Sequence, residues 1–342
     1  MRALVFHGPD DLRVEEAPDP VPAAGEVLLE IVATGICGSD LHGYTGENGR
    51  RHPGQIMGHE TVGRIAALGE AVGEDLTVGA PATVNPVIGC GACPQCGAGS
   101  EQHCARRRVI GVDPALSSAF AEYMTVPARN VVPLPPEVPI EYGALVEPLA
   151  VGYHAAVRGR TAPEDRVLVV GGGPIGQACA LAARRLGAAR VAVSELSAGR
   201  RDLVTALGFA AVDPSRGDLA ELVGEALGGP ATVVIDAVGS SGSLAGAFAA
   251  SERAARVVLV GMGAPDVSLS AYAISTDERS VIGSFCYPSE EFRRTAEWVA
   301  TLPAGLEHLI DDRVAFDAGP KAFAELAAGG LDASKILVLT GR

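Results

Sequence analysis

The sequence predicts an α/β protein in two parts: a β-rich domain over residues 1–150, then a doubly wound parallel sheet. Three observations carry that reading. Short apolar runs separated by Gly, Pro and Asp clusters fill the first 150 residues. From about residue 160, short apolar runs alternate with helical stretches. A glycine cluster (Gly171, Gly173, Gly176) stands between the first of those runs and the helix behind it. A length of 342 residues fits two domains of ~150 residues each, enough to bury cores without disulfide staples.

In the first part, EVLLEIVAT (26–34) and TVGRIAAL (61–68) read as strands between turns. In the second, RVLVV (166–170), ARVAVSE (189–195), TVVIDAVG (232–239), RVVLVGM (256–262) and SVIGSF (280–285) read as strands. QACALAARRLG is a helical run closed by Gly187, and DLAELVGEAL is another. Strands alternating with helices give the doubly wound sheet. After residue 285 a helix, EEFRRTAEWVAT, and a strand, KILVLT, remain. The pattern leaves open whether they extend the sheet or return to the first domain. No internal repeat is present at solenoid spacing.

Composition narrows the function. The chain is 48% hydrophobic and 20% charged, a globular balance. Its net charge of −14 and pI near 5.0 argue against nucleic acid or an anionic membrane as partner. The charge-free stretches 80–100 and 167–183 are broken by Gly and Pro, so neither reads as a membrane span. MRALVFHGPDD meets acidic residues too early for a secretory signal, so a cytoplasmic address is expected. There, seven cysteines point to metal or catalytic roles before disulfides.

Cys90, Cys93, Cys96 and Cys104 follow C-x2-C-x2-C-x7-C. Such spacings let one loop wrap a tetrahedral ion with thiolates at ~2.3 Å, and four ligands make the site structural. An iron–sulfur cluster is the rival, and four unrelated buried thiols the plain alternative. Gly171, Gly173 and Gly176, with Pro174 and Ile175 between them, form G-x-G-x-x-G at the start of a helix, a setting that brings pyrophosphate to unpaired N–H groups. Glu195 ends the next strand, where a carboxylate binds the adenosine ribose diol and repels a 2′-phosphate. NAD is therefore expected. Arg200 and Arg201, close behind, stack on adenine or bind a phosphate in the NADP alternative. Cys37 in GICGSDLHGY, with His59 and Glu60 in GHE, offers a thiolate, an imidazole and a carboxylate, the ligand set of a catalytic zinc with an open position. Glu147 in VEPLAVGYHA adds a carboxylate near the domain boundary.

These motifs together resemble the zinc-containing medium-chain dehydrogenases, over essentially the whole chain. GHETVGRIAALGEAV matches the family's GHE-x2-G-x5-G-x2-V pattern at Gly58, His59, Glu60, Gly63, Gly69 and Val72. The four-Cys lobe, GGGPIG and EPLAV follow in the family's order. VGAPATV departs from the usual GDRV-type turn, which bears on packing more than chemistry. The resemblance implies a GroES-like β-rich catalytic domain over 1–150 with a structural zinc lobe. It implies a Rossmann NAD-binding domain over 151–285 and a return to the catalytic domain over 286–342. It places the active site in the cleft between domains and two zinc ions in each chain.

By the same resemblance Cys37 and His59 are catalytic-zinc ligands. The third is open: in polyol dehydrogenases Glu60 can be the direct ligand, with the Glu147 equivalent holding a water at the metal, and the two can exchange. Ser39 and His42 sit at the offsets of the family's proton relay, and a route through Glu147 competes with it. The polyol, sorbitol and butanediol group is the nearest match, with Tyr44 in the substrate pocket or, alternatively, simply packed. The substrate is then a polar secondary alcohol with a neighbouring hydroxyl or amine. Phe285, Cys286 and Tyr287 do not match the usual Arg-Tyr pair, which argues against sorbitol itself. A threonine-type amino-alcohol dehydrogenase and an NADP-dependent alcohol dehydrogenase are the alternatives. A zinc-free quinone reductase, a non-catalytic NAD-binding protein and a redox sensor using the Cys cluster are the rival classes. Retention of both ligand sets and Ser39 weighs against them. A homodimer or homotetramer is expected, with RVVLVGM and SLSAYAI at an edge-to-edge contact of Rossmann sheets.

Overall fold

The computed structural model describes residues 1–47, 49–329 and 335–341. Asn48 lies outside the described residues. The chain divides into two units, Met1–Glu147 with Tyr287–Arg342, and Pro148–Cys286.

The first unit is built on a mixed sheet. Its strands run in the order Val131–Pro133, Pro81–Val84, Glu60–Leu68, Glu26–Gly35, Ile336–Leu339, Asp312–Ala315, with Tyr123–Pro127 also paired to Glu26–Gly35. In Glu26–Gly35, Val27, Leu29, Ile31 and Ala33 alternate with less buried neighbours and are fully buried on one face. They pack with Ile65, Val84, Ile110, Met124 and Val126. Each Leu or Ile sealed this way contributes about 1.5–3 kcal/mol. KILVLT supplies the Ile336–Leu339 strand, which pairs antiparallel with Glu26–Gly35. The chain's tail thus lies inside the first unit's sheet.

The second unit is a parallel sheet in the order Ala210–Val212, Arg190–Ser194, Arg166–Val170, Ala231–Asp236, Ser251–Leu259, Ser280–Gly283. This is the doubly wound order, and it reverses between Arg166–Val170 and Ala231–Asp236. Val167, Leu168 and Val169 are fully buried. Covering on both faces explains why this strand is a continuous apolar run rather than an alternating one.

Two details depart from the sequence reading. The edge strand Ala210–Val212 is three residues long, an apolar run too short to announce a strand locally. RVVLVGM was expected at the sheet edge, yet its strand is flanked on the outer side by Ser280–Gly283, which is the true edge. In SLSAYAI, the short helix Ala271–Ser275 leaves Tyr272 81% exposed. No helix among the described residues is long and apolar enough to cross a membrane.

Candidate active site

Cys37 follows the Glu26–Gly35 strand and caps the helix Gly38–Tyr44. The capping box is completed by Asp40, whose Oδ2 accepts a hydrogen bond from the Cys37 amide at 3.4 Å. Gly35 is paired with Glu60 across the antiparallel ladder, so the strand pairing carries Cys37 to the His59–Glu60 dipeptide. One donor atom from each of Cys37, His59 and Glu60 lies within 4.8 Å of the others.

The residues suit a cation. His59 and Glu60 are buried, and His59 Nδ1 and both Glu60 oxygens lack an aligned hydrogen-bond partner. Lys335 Nζ nonetheless stands 2.5 Å from Glu60 Oε2, an ion pair without hydrogen-bond alignment. Burial alone would lower the His59 pKa, but Asp40 and Cys37 outweigh it and hold it well above its ordinary value. Surroundings that draw a proton favour a positive charge there. His59 Nδ1 faces Asp40 Oδ1 at 3.7 Å, which leaves Nε2 for an ion. Thiolate, imidazole and carboxylate are a zinc donor set with a fourth position open.

Glu147 opens the helix Val146–Arg158 and lies outside this three-residue cluster. Its Oε1 accepts a hydrogen bond from the Tyr287 hydroxyl at 2.7 Å, and both side chains are buried. Burial pushes its pKa up and Glu60 adds to the rise, against the pull of His59, Tyr287 and Lys335.

Cys90, Cys93, Cys96 and Cys104 also converge within 4.8 Å. Cys93 caps the short helix Pro94–Gly97, which turns Cys96 back toward it. The Cys93–Cys96 and Cys90–Cys96 sulfurs are 3.5 and 4.0 Å apart, and all four thiols are free. Disulfide sulfurs stand at ~2.05 Å, whereas thiolates at ~2.3 Å from a tetrahedral ion stand about 3.8 Å apart. The Ala92 amide, neighbouring thiols and Arg106 pull the Cys90 pKa down to about 6, toward the thiolate that binds metal.

In the second unit, the loop after Arg166–Val170 leads into the helix Pro174–Arg185, with Gly173 as cap and Pro174 and Ile175 in the first turn. A Cβ on Gly176 would lie 1.8 Å from the Gly171 carbonyl oxygen, so only glycine lets the helix start this close to the loop. Glu195 Oε2 accepts from the Gly172 amide at 2.7 Å and Oε1 from the Ser197 amide at 2.8 Å. The carboxylate is thereby fixed against the glycine loop. Arg200 reaches toward the same loop, its Nη1 3.9 Å from where a Gly173 Cβ would stand. Arg201 does not share that role: it is held by the Glu195 and Leu196 carbonyls and by Asp213 at 3.0 Å.

Comparison with known proteins follows this geometry. Residues 23–136 match the alcohol dehydrogenase GroES-like domain, and residues 174–301 the zinc-binding dehydrogenase domain. A 2-dehydro-3-deoxy-L-galactonate 5-dehydrogenase from Pseudoalteromonas atlantica is 35% identical over 91% of this chain and 90% of its own length. The chain belongs to the zinc-containing medium-chain dehydrogenases. Sorbitol dehydrogenase, xylulose reductases and butanediol dehydrogenase are among its relatives. An alcohol dehydrogenase from Escherichia coli CFT073, solved with NADH, superposes at TM-score 0.91 with 30% identity, covering 99% of both chains. A zinc-binding dehydrogenase from Sinorhizobium meliloti 1021, solved with NADP, superposes at 0.89 with 32% identity, over 99% of this chain and 98% of the other.

The remaining expected residues of this dehydrogenase are less uniform. Ser39 is half-buried in the first turn after Cys37. His42 is 55% exposed on the same helix and pairs with Glu47 at 2.5 Å. Tyr44 is 4% exposed, its hydroxyl bonds the Asp10 carbonyl, and its ring packs on Phe323, an arrangement that fits the packing alternative. Sequence reasoning missed Asp40, Arg51 and Lys335. Asp40 had a local signal, an acid three residues after the cap residue. Arg51 and Lys335 had none.

Proposed function

We propose that this dehydrogenase uses NAD to oxidise a polyhydroxylated secondary alcohol (a polyol, sugar alcohol, sugar acid or vicinal diol) and to run the reverse reduction. The Cys37–His59–Glu60 cluster, with His59 and Glu60 buried, carries the reading. Cys37 and His59 would hold the catalytic zinc with Glu60 as third ligand and Glu147 exchanging with it. When bound, the zinc supplies Lewis-acid polarisation that lowers the pKa of the substrate hydroxyl toward neutrality. Ser39 accepts the hydroxyl proton as it gives its own to a relay that ends at His42, exposed and paired with Glu47, from which a proton reaches solvent. Glu147, held by Tyr287, is the competing proton route. NAD held at the glycine loop would supply the hydride acceptor, so a secondary alcohol and NAD would give a ketone, NADH and one proton.

Fixed by two amides, Glu195 still has lone pairs for the two adenosine ribose hydroxyls. A 2′-phosphate would meet that carboxylate, which supports NAD. Arg200 against the loop is the feature that supports NADP instead. Cys90, Cys93, Cys96 and Cys104 are assigned to a structural zinc. The Ser280–Gly283 edge is proposed as the surface through which copies of the chain pair.

The test follows NADH absorbance with NAD and, separately, NADP against polyols, vicinal diols, amino alcohols, sugar alcohols and sugar acids, beside a Cys37→Ser variant. NAD-dependent turnover that the variant loses is expected. A protein with neither zinc nor affinity for either cofactor would sink the reading.

A further inference from the structure

Arg51 is an odd residue to find buried. Its side chain is 1% exposed, and among the described residues its Nε has no hydrogen-bond partner. Nη2 donates two long bonds, to the Ser39 carbonyl at 3.4 Å and to Asp40 Oδ1 at 3.5 Å. Asp40 is itself fully buried. The same Oδ1 stands 3.7 Å from His59 Nδ1, and its Oδ2 takes the Cys37 amide. One carboxylate therefore touches both residues that open the metal cluster, and Arg51 stands behind it. A sealed carboxylate without a counter-charge is strongly unfavourable, and the guanidinium supplies that charge.

The helix makes room for this arrangement. A Cβ on Gly43 would lie 2.6 Å from Arg51 Cγ and 2.9 Å from its Nε. Glycine at that position lets the arginine stem lie across the Gly38–Tyr44 helix and reach Asp40. Any side chain there would push the guanidinium off its line.

We propose that Arg51 is a positioning residue for the catalytic metal: it holds Asp40 in the orientation that aims His59, and Gly43 is glycine to admit it. Arg51 touches no reacting atom. The inference rests on Cys37, His59 and Glu60 being the metal site.

The test measures zinc, not turnover. Wild-type protein, Arg51→Met, Arg51→Lys and Gly43→Ala are titrated with zinc against a competing chelator, with metal per chain counted. Cobalt spectra of the reloaded proteins report thiolate coordination. The wild type is expected to hold two ions. Arg51→Met should keep the four-cysteine ion and bind the other ten- to a hundredfold more weakly, the usual cost of losing a group that orients a metal ligand. Gly43→Ala should shift the same site in the same direction, and Arg51→Lys should shift it less than Arg51→Met. Wild-type affinity at that site in a folded Arg51→Met protein overturns the proposal. Where Arg51→Met does not fold, wild-type affinity in Gly43→Ala overturns it. A wild type that holds only the four-cysteine ion overturns the metal-site reading itself, a separate and visible failure.

Discussion

Lys335 and Glu60 form a buried ion pair, Nζ to Oε2 at 2.5 Å, with side chains 4% and 1% exposed. Lys335 also donates to the Ile36 carbonyl at 3.2 Å, one residue before Cys37. A single ammonium therefore anchors the strand end that delivers Cys37 and the carboxylate that follows His59. In protein stripped of the catalytic-site metal, replacing it by an isosteric apolar chain leaves Glu60 sealed without its cation. Lys335→Met should lose about 3–5 kcal/mol of stability, as broken buried pairs do. The urea midpoint at unchanged slope is the measurement, and a shift under about 1 kcal/mol would show that the pair contributes little.

Glu195 offers a second test. Its two oxygens are fixed by the Gly172 and Ser197 amides, and the proposed ribose role gives it two hydroxyls to accept from. Each hydrogen bond to a charged acceptor is worth roughly 1.5–3 kcal/mol. Glu195→Ala, which removes both bonds, should raise the NADH dissociation constant by at least about a hundredfold and narrow its preference over NADPH, read by nucleotide fluorescence titration. Tighter NADPH than NADH binding in the unaltered protein would assign the loop to NADP and Arg200.

The four-cysteine lobe makes a prediction about stoichiometry. Cys93 both caps the Pro94–Gly97 helix and stands 3.5 Å from Cys96. Cys93→Ala should lower bound zinc by one ion per chain and leave the Cys37 site loaded. Iron in place of zinc in the purified protein, with its visible absorption, would transfer the lobe to an iron–sulfur cluster.

Cys179 is a thiol of the opposite kind. It is fully buried in the Pro174–Arg185 helix, and burial pushes its pKa up to about 12. Native protein should not react there with a thiol reagent at pH 8, while urea-unfolded protein should. A thiol whose folded pKa is raised contributes fully below its unfolded pKa of ~8.5. That contribution is lost as pH rises from there toward about 12. Cys179→Ala should flatten the alkaline limb of the stability curve, and an unchanged limb would assign it to other groups.

Much of the architecture was legible because it is written locally. Continuous runs such as RVLVV read as strands covered on both faces, and Val167 to Val169 are buried in that way. The short strand Ala210–Val212 was not legible, since its place depends on pairing with Arg190–Ser194 rather than on its own residues. The edge position of Ser280–Gly283 likewise belongs to the sheet and not to the segment.

The same division runs through the site. Sequence by itself determined the elements whose chemistry is carried by neighbours: four cysteines within one loop, three glycines in one turn, and His beside Glu. Short spacing restricts such groups to one place whatever the rest of the chain does. Only the tertiary structure decided the groups that charge and burial couple across distance. Lys335 reaches Glu60 because the Ile336–Leu339 strand pairs with Glu26–Gly35. Tyr287 reaches Glu147 across 140 residues of chain. Tyr44 turned into the core because its helix packs there. A buried charge needs a partner but not one nearby in sequence, so the fold, and not the spacing, chooses it.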